Sequence, residues 1–390
     1  MTALKILFWI FLFIIIYTYL IYTLILIIFD FFTRLFSKKA NYAKDYLPEV
    51  TLFITAYNEK DCIEQKLKNS FQLDYPKDKL IHLWVTDGSD DGSPEILKSY
   101  GNVEVLHQKE RKGKTNAMNR GMKYVKTPIV VFSDANTDLN REAIREIVKL
   151  FSDDQVGCVA GEKRIYSGNR EKAVSSGEGI YWMYESLIKK LESSVNSTTG
   201  AVGELFAIRK EMFCEVDEDI ILDDFVISLT IAVKGQKLKY APNAYACENA
   251  SFSMKEEMKR KIRIASGSFQ ALTRIPELFN IFRHGLLSFQ FISHKVLRWT
   301  LVPFSFIMVF ISNFFIVLHG NEKLYLFFFM LQVLFYIAVV LGMVFKNIRL
   351  GMKLLFVPYY LFMMNFSIML GLIRFLGGKQ SPAWEKSKRG

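Results

Sequence analysis

Proline and cysteine are scarce in this chain. Its 390 residues contain 9 Pro and 4 Cys, whereas 34 are Phe and 51% are hydrophobic. This composition excludes an intrinsically disordered or collagen-like chain. The cysteines are scattered, with no CxxC pair and no metal-ligand spacing, so we interpret them as free thiols in a reducing compartment. They are Cys62, Cys158, Cys214 and Cys247.

Two common nucleotide-binding motifs are also missing. Gly113-Lys114-Thr115 resembles the end of a P-loop, but that motif needs a glycine five residues before Gly113, where this chain has Gln108. No GxGxxG motif follows a predicted strand either. Because both motifs are absent, the sequence excludes a P-loop nucleotide-binding site and a dinucleotide-binding fold.

Acidic residues are the minority, with 39 Asp and Glu against 50 Lys and Arg. Much of the basic excess borders apolar runs, where Lys and Arg mark the cytoplasmic side and contact anionic lipids. No RNA- or DNA-binding signature accompanies the charge, so we predict membrane lipids as partners and no nucleic acid. The bordering bases are Arg34, Lys38, Lys39, Lys295, Arg298, Lys346, Arg349 and Lys353.

Apolar runs long enough to cross a membrane lie at both ends of the sequence. Residues 6–29 carry no charge, and about 20 apolar residues span a bilayer. The run is too long for a signal-peptide core and lacks a small-residue cleavage site, so residues 1–30 are predicted to be an uncleaved anchor. Three further spans are predicted within residues 300–378, at 301–318, 324–345 and 354–376.

The orientation of the C-terminal part stays open. Bases after the first run predict a cytoplasmic domain and an inner-membrane protein. Residues 280–299 mix apolar and basic side chains, which is typical of an interfacial amphipathic helix. Three later spans would leave the end of the chain outside, whereas the basic tail 379–390 favours the inside. The number of C-terminal spans is therefore not fixed.

Residues 49–275 have the composition of a soluble α/β domain. Short buried strands alternate with helices, which predicts a mostly parallel sheet with crossover helices. The predicted strands are 50–56, 81–86, 103–107, 129–133 and 156–160. The predicted helices are 59–71, 94–100, 114–125, 141–151, 172–191 and 225–233.

Polar clusters follow three of these strands, at residues 55–59, 87–91 and 134–138. In a parallel sheet such strand ends meet at one edge, where ligands bind. Asp134 and Asn136 place two oxygen-bearing side chains on one turn, and Mg²⁺ or Mn²⁺ prefers such ligands. The same turn also fits a helix N-cap before Arg141, and the pattern leaves both interpretations open.

Two further charged clusters are candidates for chemistry. Asp223-Asp224 precedes an apolar helix, so Asp224 is either its cap or a general base, and the two roles are compatible. The run 259–263 is basic and includes Arg260 and Arg263. It fits a lipid-facing helix surface, or arginines that bind a pyrophosphate.

In this order, the clusters resemble the family 2 glycosyltransferases, in particular the membrane-integrated branch of hyaluronan and poly-N-acetylglucosamine synthases. The resemblance covers about residues 49–270. Its motifs are Thr55-Ala56-Tyr57-Asn58-Glu59; residues 87–93, which begin with Asp87; Gly113-Lys114 with Ala117, Asn119 and Gly121; Asp134-Ala135-Asn136; residues 203–209; and Asp223-Asp224.

The resemblance implies a GT-A-like fold and a metal-dependent, inverting transfer from a UDP-sugar to a lipid-linked or polysaccharide acceptor. It implies that Asp224 is the base beside Asp223 and that Asp134 and Asn136 hold the divalent cation. The implied nucleotide-sugar-binding residues are Thr55, Ala56, Tyr57, Asn58, Glu59, Asp87, Lys114, Arg260 and Arg263.

Two departures from the family pattern bear on function. Asn136 replaces the second acid of the metal motif, which leaves one carboxylate there. In the arginine motif of processive synthases, Arg263 is kept, Arg260 stands in place of Gln, and Ile264 stands in place of Trp. Two alternatives therefore stay open: a non-processive enzyme that adds one sugar to a lipid acceptor, and an inactive membrane regulator.

Overall fold

The structure is a computed structural model, which describes residues 1–36, 42–43, 45–166, 177–249, 253–344 and 353–378. Several predictions concern other parts of the chain. The basic residues Lys38, Lys39, Lys346 and Arg349, the start of the helix predicted at 172, and the tail 379–390 lie outside the described residues.

The strands lie close to their predicted positions, because each is a short apolar run ended by polar residues. Two strands, Asp138–Leu139 and Lys237–Asn249, were not predicted, and they are short or mixed in polarity. The strand Leu205–Arg209 lies within residues 203–209, which resemble the acceptor-site strand of the family. In chain order the strands are β1 (Val50–Ala56), β2 (Leu80–Asp87), β3 (Glu104–Gln108), β4 (Ile129–Asp134), β5 (Asp138–Leu139), β6 (Val156–Tyr166), β7 (Leu205–Arg209) and β8 (Lys237–Asn249).

The helices also follow the sequence signals. Pro94 lies in the first turn of α4, and Ser253 caps α9 by accepting a hydrogen bond from the backbone N–H of Glu256. The helices are α1 (Thr2–Ile16), α2 (Tyr22–Phe36), α3 (Lys60–Phe71), α4 (Ser93–Lys98), α5 (Lys114–Met122), α6 (Ala143–Val148), α7 (Gly177–Val195), α8 (Asp223–Val233), α9 (Met254–Arg274), α10 (Ile281–His284), α11 (Leu286–Phe291), α12 (Leu297–Trp299), α13 (Leu301–His319), α14 (Lys323–Val344) and α15 (Lys353–Leu376).

The strands form one mixed sheet in the order β3-β2-β1-β4-β7-β6-β8-β5. β1 pairs in parallel with β2 and β4, β2 with β3, and β6 with β8, which confirms the predicted α/β class. β7 runs antiparallel to both β4 and β6, and β5 runs antiparallel to β8. The antiparallel β7 begins beside the end of β4, where Ser133 pairs with Leu205.

Apolar layers cover both faces of the sheet. Alternate residues of β1 point to opposite layers, so Leu52 and Ile54 pack on one side and Phe53 on the other. In the second layer the rings of Phe132 and Phe206 stack with centroids 4.7 Å apart. Each such side chain contributes about 1.5–3 kcal/mol through burial, so the two layers fix the strand ends that carry the polar clusters.

Four helices in the described ranges are long and apolar enough to cross a membrane: Thr2–Phe36, Leu301–His319, Lys323–Val344 and Phe356–Leu376. They match the predicted apolar runs and indicate an integral membrane protein. The first is a continuous helix, because a π-helical turn, Tyr17–Ile21, joins α1 to α2.

The second half of the first apolar helix packs on the sheet-containing domain. The hydroxyl of Tyr22 donates a 2.6 Å hydrogen bond to Glu192 of α7, and Leu26 packs with Ile188. The last apolar helix also contacts this domain. The rings of Tyr360 and Tyr181 lie 5.9 Å apart, and those of Phe375 and Phe269 lie 6.2 Å apart.

Residues 280–299 form two helices instead of one: the short α10, and a continuous helix from Leu286 to Trp299 in which a π-helical turn, Ile292–Val296, joins α11 to α12. The chain breaks at Gly285, whose φ of +50° is in the left-handed region that favours glycine. Arg298 and Lys295, predicted to face lipid headgroups, instead pair with Glu185 inside the protein. That part of the prediction is wrong, because the periodic pattern does not reveal a buried acidic partner on α7.

Candidate functional site

A cavity of about 1010 Å³ lies beyond the end of β4 and the start of β7. Its polar wall includes Asp223, Asp224, Asp134 and Lys114. These four side chains come from the end of β4 and the starts of α5 and α8, which the sheet brings to one edge. The cavity also extends between α7, α9 and α15, whose residues include Trp182, Arg263 and Met364.

Lys114 is held between two carboxylates. Its Nζ lies 2.9 Å from Oδ1 of Asp134 and 3.8 Å from Oδ2 of Asp223. Burial tends to lower the pKa of Lys114, but the charges of Asp134 and Asp223 outweigh burial and raise it above its ordinary value. Lys114 is therefore a permanent cation at the sheet edge, a charge suited to a phosphate group.

Asp224 lies in the first turn of α8. The helix begins at Asp223 after Leu222 and has no side-chain cap, so Asp224 is not the N-cap residue. Burial, and then the charge of Asp223, raise the pKa of Asp224 to about 7. A carboxylate with such a pKa is suited to accept a proton at neutral pH.

Gly203 forms the wall next to this acid. A Cβ atom at Gly203 would lie 3.5 Å from both Oδ2 of Asp224 and Nζ of Lys114. The two charged groups therefore face the same short stretch of backbone before β7. The absence of a side chain there leaves the carboxylate of Asp224 open towards the cavity.

The two candidate arginines of α9 have different surroundings. Arg260 donates to both carboxylate oxygens of Glu257, at 3.1 Å each, and its Nη1 lies 3.5 Å from Oε1 of Glu248. The Nε of Arg263 is buried and has no hydrogen-bond partner among the described residues. Burial lowers the pKa of Arg263 while Asp223, Asp224 and Asp134 favour its charge, so this guanidinium faces the acidic cluster.

A buried cluster of ion pairs, which was not predicted from the sequence, lies at the wall of the cavity. Lys163 of β6 pairs with Glu204 and Glu248 and lies 5.6 Å from the ring centre of Trp182. The charge of Lys163 outweighs burial and keeps the pKa of Glu204 well below its usual range. Lys163, Glu248 and Trp182 belong to β6, β8 and α7, and no local spacing in the sequence connects them.

The predicted nucleotide-binding loops lie together at the neighbouring strand ends. The ring of Tyr57 stacks under the guanidinium of Arg111, whose Cζ is 3.8 Å from the ring centre. The carboxylate of Asp87 accepts hydrogen bonds from the backbone N–H groups of Lys112, at 3.0 Å, and Gly113, at 2.6 Å. Of these residues, Arg111 lines the cavity.

The remaining loop residues hold the turn between β1 and α3. Asn58 adopts a φ of +52° and exchanges hydrogen bonds with Asp90, at 2.9 and 3.0 Å. Thr55 and Ala56 end β1, and the buried Glu59 accepts from the thiol of Cys62 at 3.1 Å. In the described structure, the cavity's lining residues do not include Thr55, Ala56, Asn58 or Glu59.

The turn after β4 carries oxygen atoms of the kind that hard divalent cations prefer, although the described residues form no group of three His, Cys, Asp or Glu side chains that could hold a metal ion. Asp134 supplies a carboxylate, and Oδ1 of Asn136 is buried with no hydrogen-bond partner in the described part of the chain. Oδ2 of Asp223 is likewise buried without one, although it lies 3.8 Å from Lys114. The donors are all oxygen atoms, which suit Mg²⁺ or Mn²⁺, and such ions commonly complete their ligands with substrate phosphates.

Comparisons with known proteins agree with this arrangement. Residues 51–216 match the family described as Glycosyl transferase family 2. A poly-beta-1,6-N-acetyl-D-glucosamine synthase of Staphylococcus aureus (strain MSSA476) is 29% identical over 65% of this chain and 64% of its own length. The synthase of the same name from Staphylococcus epidermidis is 24% identical over 73% of this chain and 74% of its own length.

Among solved structures, a mannosyltransferase from Pyrobaculum calidifontis in complex with GDP-Man and Mn²⁺ has the same fold. The TM-score is 0.73 at 20% identity, over 97% of this chain and 100% of that one. This chain spans 64% of the length of the Staphylococcus aureus relative, which is less than two thirds. The predicted GT-A-like fold is confirmed, and residues 51–216 are similar to the family 2 glycosyltransferases.

Proposed function

We propose that this protein transfers a sugar from a UDP-sugar to a hydroxyl group of a lipid-linked or polysaccharide acceptor, with inversion at the anomeric carbon. The observation that supports this most directly is the Asp224 carboxylate, whose pKa of about 7 is set by burial at the wall of a cavity of about 1010 Å³. The relatives named as poly-N-acetylglucosamine synthases support a hexosaminyl donor.

In this proposal, Asp224 takes the proton of the acceptor hydroxyl as that oxygen attacks the anomeric carbon. The bond between this carbon and the diphosphate oxygen breaks, and UDP leaves with the electron pair. Lys114 and Arg263 stabilise the negative charge that grows on the leaving group more than they stabilise the bound substrate. The proton remains on Asp224 until solvent removes it.

A divalent cation fits the same site. Asp134 and Asn136 would hold it, and the ion would supply a further positive charge to the donor diphosphate. The mannosyltransferase of the same fold was solved with Mn²⁺, which supports Mn²⁺ or Mg²⁺ as the cofactor. Tyr57 and Asp87, with the loop around Asn58 and Glu59, are proposed to position the nucleoside.

Residues 49–275 are proposed to form the catalytic domain, on the cytoplasmic face of the inner membrane. The rings of Phe306 and Phe335 pair near one end of the α13–α14 hairpin, and those of Phe314 and Phe329 pair nearer its turn. The two helices are thus antiparallel, which brings the end of α14 back to the domain. Phe8 of α1 packs with Val309 of α13, and these contacts together support α1, α13 and α14 as crossing helices.

The last apolar helix is proposed to stay on the side of the catalytic domain. Its residues Tyr360, Gly371 and Phe375 contact α7 and α9 along most of its length. A helix that crossed the bilayer would leave the domain within a few turns. This arrangement would place the basic tail 379–390 in the cytoplasm, in agreement with the positive-inside rule.

A single-addition enzyme remains the second candidate. Ile264 lines the cavity at the position where the processive synthases have Trp. An aliphatic side chain there offers no aromatic surface for an acceptor sugar, which favours release after each transfer. The size distribution of radiolabelled product separates a polymer from a single addition.

The proposed activity is tested by UDP release from purified protein across a panel of UDP-sugars, with GDP-mannose as a comparison donor and with or without Mn²⁺. We expect Mn²⁺-dependent release from one UDP-sugar. Asp224→Asn should abolish it, while the matched control Asp154→Asn, at an exposed carboxylate outside the cavity, should leave it unchanged. Release by wild type and Asp224→Asn at equal rates would overturn the proposal.

A further inference from the structure

The last apolar helix, α15, forms one wall of the cavity that contains Asp224. Its lining residues repeat every three or four positions, so they lie on one face of the helix. The face is mostly apolar in its first part and ends in a charge. In order, the residues are Val357, Tyr360, Leu361, Met364, Asn365, Ser367, Ile368 and Arg374.

The backbone of α15 is in close contact with α9. A Cβ atom at Gly371 would lie 2.4 Å from Cβ of Ala265, so only glycine allows this approach. Four residues further along each helix, the rings of Phe375 and Phe269 stack with centroids 6.2 Å apart. The contacts advance in the same direction on both helices, so α15 runs parallel to α9 there.

This register brings Arg374 towards Arg263. Arg374 lies one turn after Gly371, and long side chains of a helix lean back towards its N-terminus. Arg374 lines the same cavity as Arg263. Burial and then the positive charge of Arg374 both contribute to a lowered pKa of Arg263, in agreement with the proximity of the two groups.

Arg263 and Arg374 line the same cavity, so a phosphate group between them would contact two guanidinium groups. Guanidinium groups bind phosphate through planar, charge-assisted pairs of hydrogen bonds. We propose that Arg374 of α15, together with Arg263, binds a phosphate group of a substrate inside this cavity. The proposal rests on the proposed function for the identity of the substrates, and it makes α15 part of the active site.

Two substrates could supply this phosphate. One is the donor, through its diphosphate. The other is a lipid acceptor with a phosphate headgroup, because the apolar face of α15, with Leu361, Met364 and Ile368, leads to Arg374 along the same wall. Both sources share the chemistry of a phosphate ester, and binding measurements separate them.

The test compares Arg374→Gln and Arg374→Lys with wild type in lipid nanodiscs. UDP affinity in the presence of Mn²⁺ is measured by calorimetry, and dodecyl phosphate is titrated separately, with dodecanol as its uncharged counterpart. Arg283→Gln is the matched control, because Arg283 is exposed on α10 and does not line the cavity. Thermal unfolding shows whether each variant is folded.

For a donor phosphate, Arg374→Gln should weaken UDP binding about tenfold or more, the loss typical of one charge-assisted contact. For an acceptor phosphate, UDP affinity should stay constant while dodecyl phosphate binding falls about tenfold and dodecanol binding does not. Arg374→Lys should recover part of the loss, because it keeps the charge but not the planar geometry. If Arg374→Gln does not fold, the affinities of Arg374→Lys for UDP and for dodecyl phosphate decide whether Arg374 binds a phosphate group and which substrate supplies it.

Unchanged affinities for both phosphate compounds in the folded Arg374 variants would overturn the inference. These binding measurements do not depend on turnover. A wild-type protein that binds UDP through Arg374 but transfers no sugar would contradict the proposed function and leave this inference in place.

Discussion

The Nζ of Lys114 donates a 2.9 Å hydrogen bond to Oδ1 of Asp134. The sequence assigned these residues to different tasks, phosphate binding and metal binding, yet they form one ion pair at the edge of the sheet. Asp223 is the second carboxylate near the same ammonium group, at 3.8 Å. Any change at one of these three residues therefore alters the electrostatic balance of the other two.

Asp134→Ala should weaken Mn²⁺-dependent UDP binding by roughly tenfold or more, because Asn136 is a neutral ligand and cannot hold a divalent cation alone. Calorimetric titration of UDP with and without Mn²⁺ measures the effect. Asp138→Asn is the control, because this carboxylate accepts from Tyr166 and Gln65 and does not line the cavity. Equal metal dependence in Asp134→Ala and wild type would place the metal site elsewhere.

Asp224→Asn should lower turnover by about 10²–10⁴-fold while UDP affinity stays near that of wild type. The amide keeps the size of the side chain but cannot accept the proton. In wild type, kcat/KM should rise with pH and level off above about 7, because Asp224 must be ionised and its pKa is about 7. Any residual activity of Asp224→Asn should lack this rise, and a rise of equal size would assign the base to another group.

Asp224 should also make the folded protein less stable at high pH. Its pKa is raised from 3.8 to about 7, so between these values the folded state binds more protons than the unfolded state. Stability from this group therefore falls as the pH rises through that range. Asp224→Asn should raise the Tm at pH 8 and have little effect at pH 4, as measured by thermal unfolding without nucleotide. A lower Tm of the variant at pH 8 would contradict the assigned shift.

The strand ends and the acidic pair could be predicted because each follows or precedes a short apolar run. Asp134 comes at the end of β4, and Asp223 and Asp224 lie in the first turn of α8, so local patterns were sufficient. The contact of Arg260 with Glu248 could not be predicted, because Glu248 lies on β8 and its approach depends on sheet order. Strand register depends on long-range pairing, which hydrophobic periodicity does not record.

The apolar pattern also could not show where α15 lies. The length and the apolar composition of residues 356–376 both suit a helix that crosses a membrane. Contacts such as Gly371 with Ala265 depend on the tertiary structure. Hydropathy alone therefore cannot distinguish a helix buried against a domain from one surrounded by lipid.

The segment after α15 should lie on the same side of the membrane as the catalytic domain. A cysteine introduced at Gly378 and one at the exposed Lys109 should react equally with a membrane-impermeant maleimide only after cells are opened. A cysteine at Gly320, in the turn between α13 and α14, should react in intact cells with a permeable outer envelope. Labelling at Gly378 in intact cells would show that α15 crosses the membrane.

Arg263 and Arg260 provide the sharpest contrast between a membrane-surface and a substrate-binding role for α9. If both only contact anionic headgroups, lysine should replace either one with little effect on turnover. Arg263 faces Asp223 and Asp224 and has a buried Nε without a hydrogen-bond partner in the described structure. Arg260 is engaged by Glu257 and Glu248.

Arg263→Lys should therefore lower turnover roughly tenfold or more, because lysine lacks the planar fork that binds a diphosphate. Arg260→Lys should have a milder effect on turnover and should mainly lower the Tm, because it removes hydrogen bonds to Glu257. UDP release in detergent without anionic lipid measures the first effect, and thermal unfolding measures the second. Near-wild-type turnover of Arg263→Lys under these conditions would assign α9 to the membrane surface. The detergent contains no anionic headgroups that could compensate for a lost substrate contact.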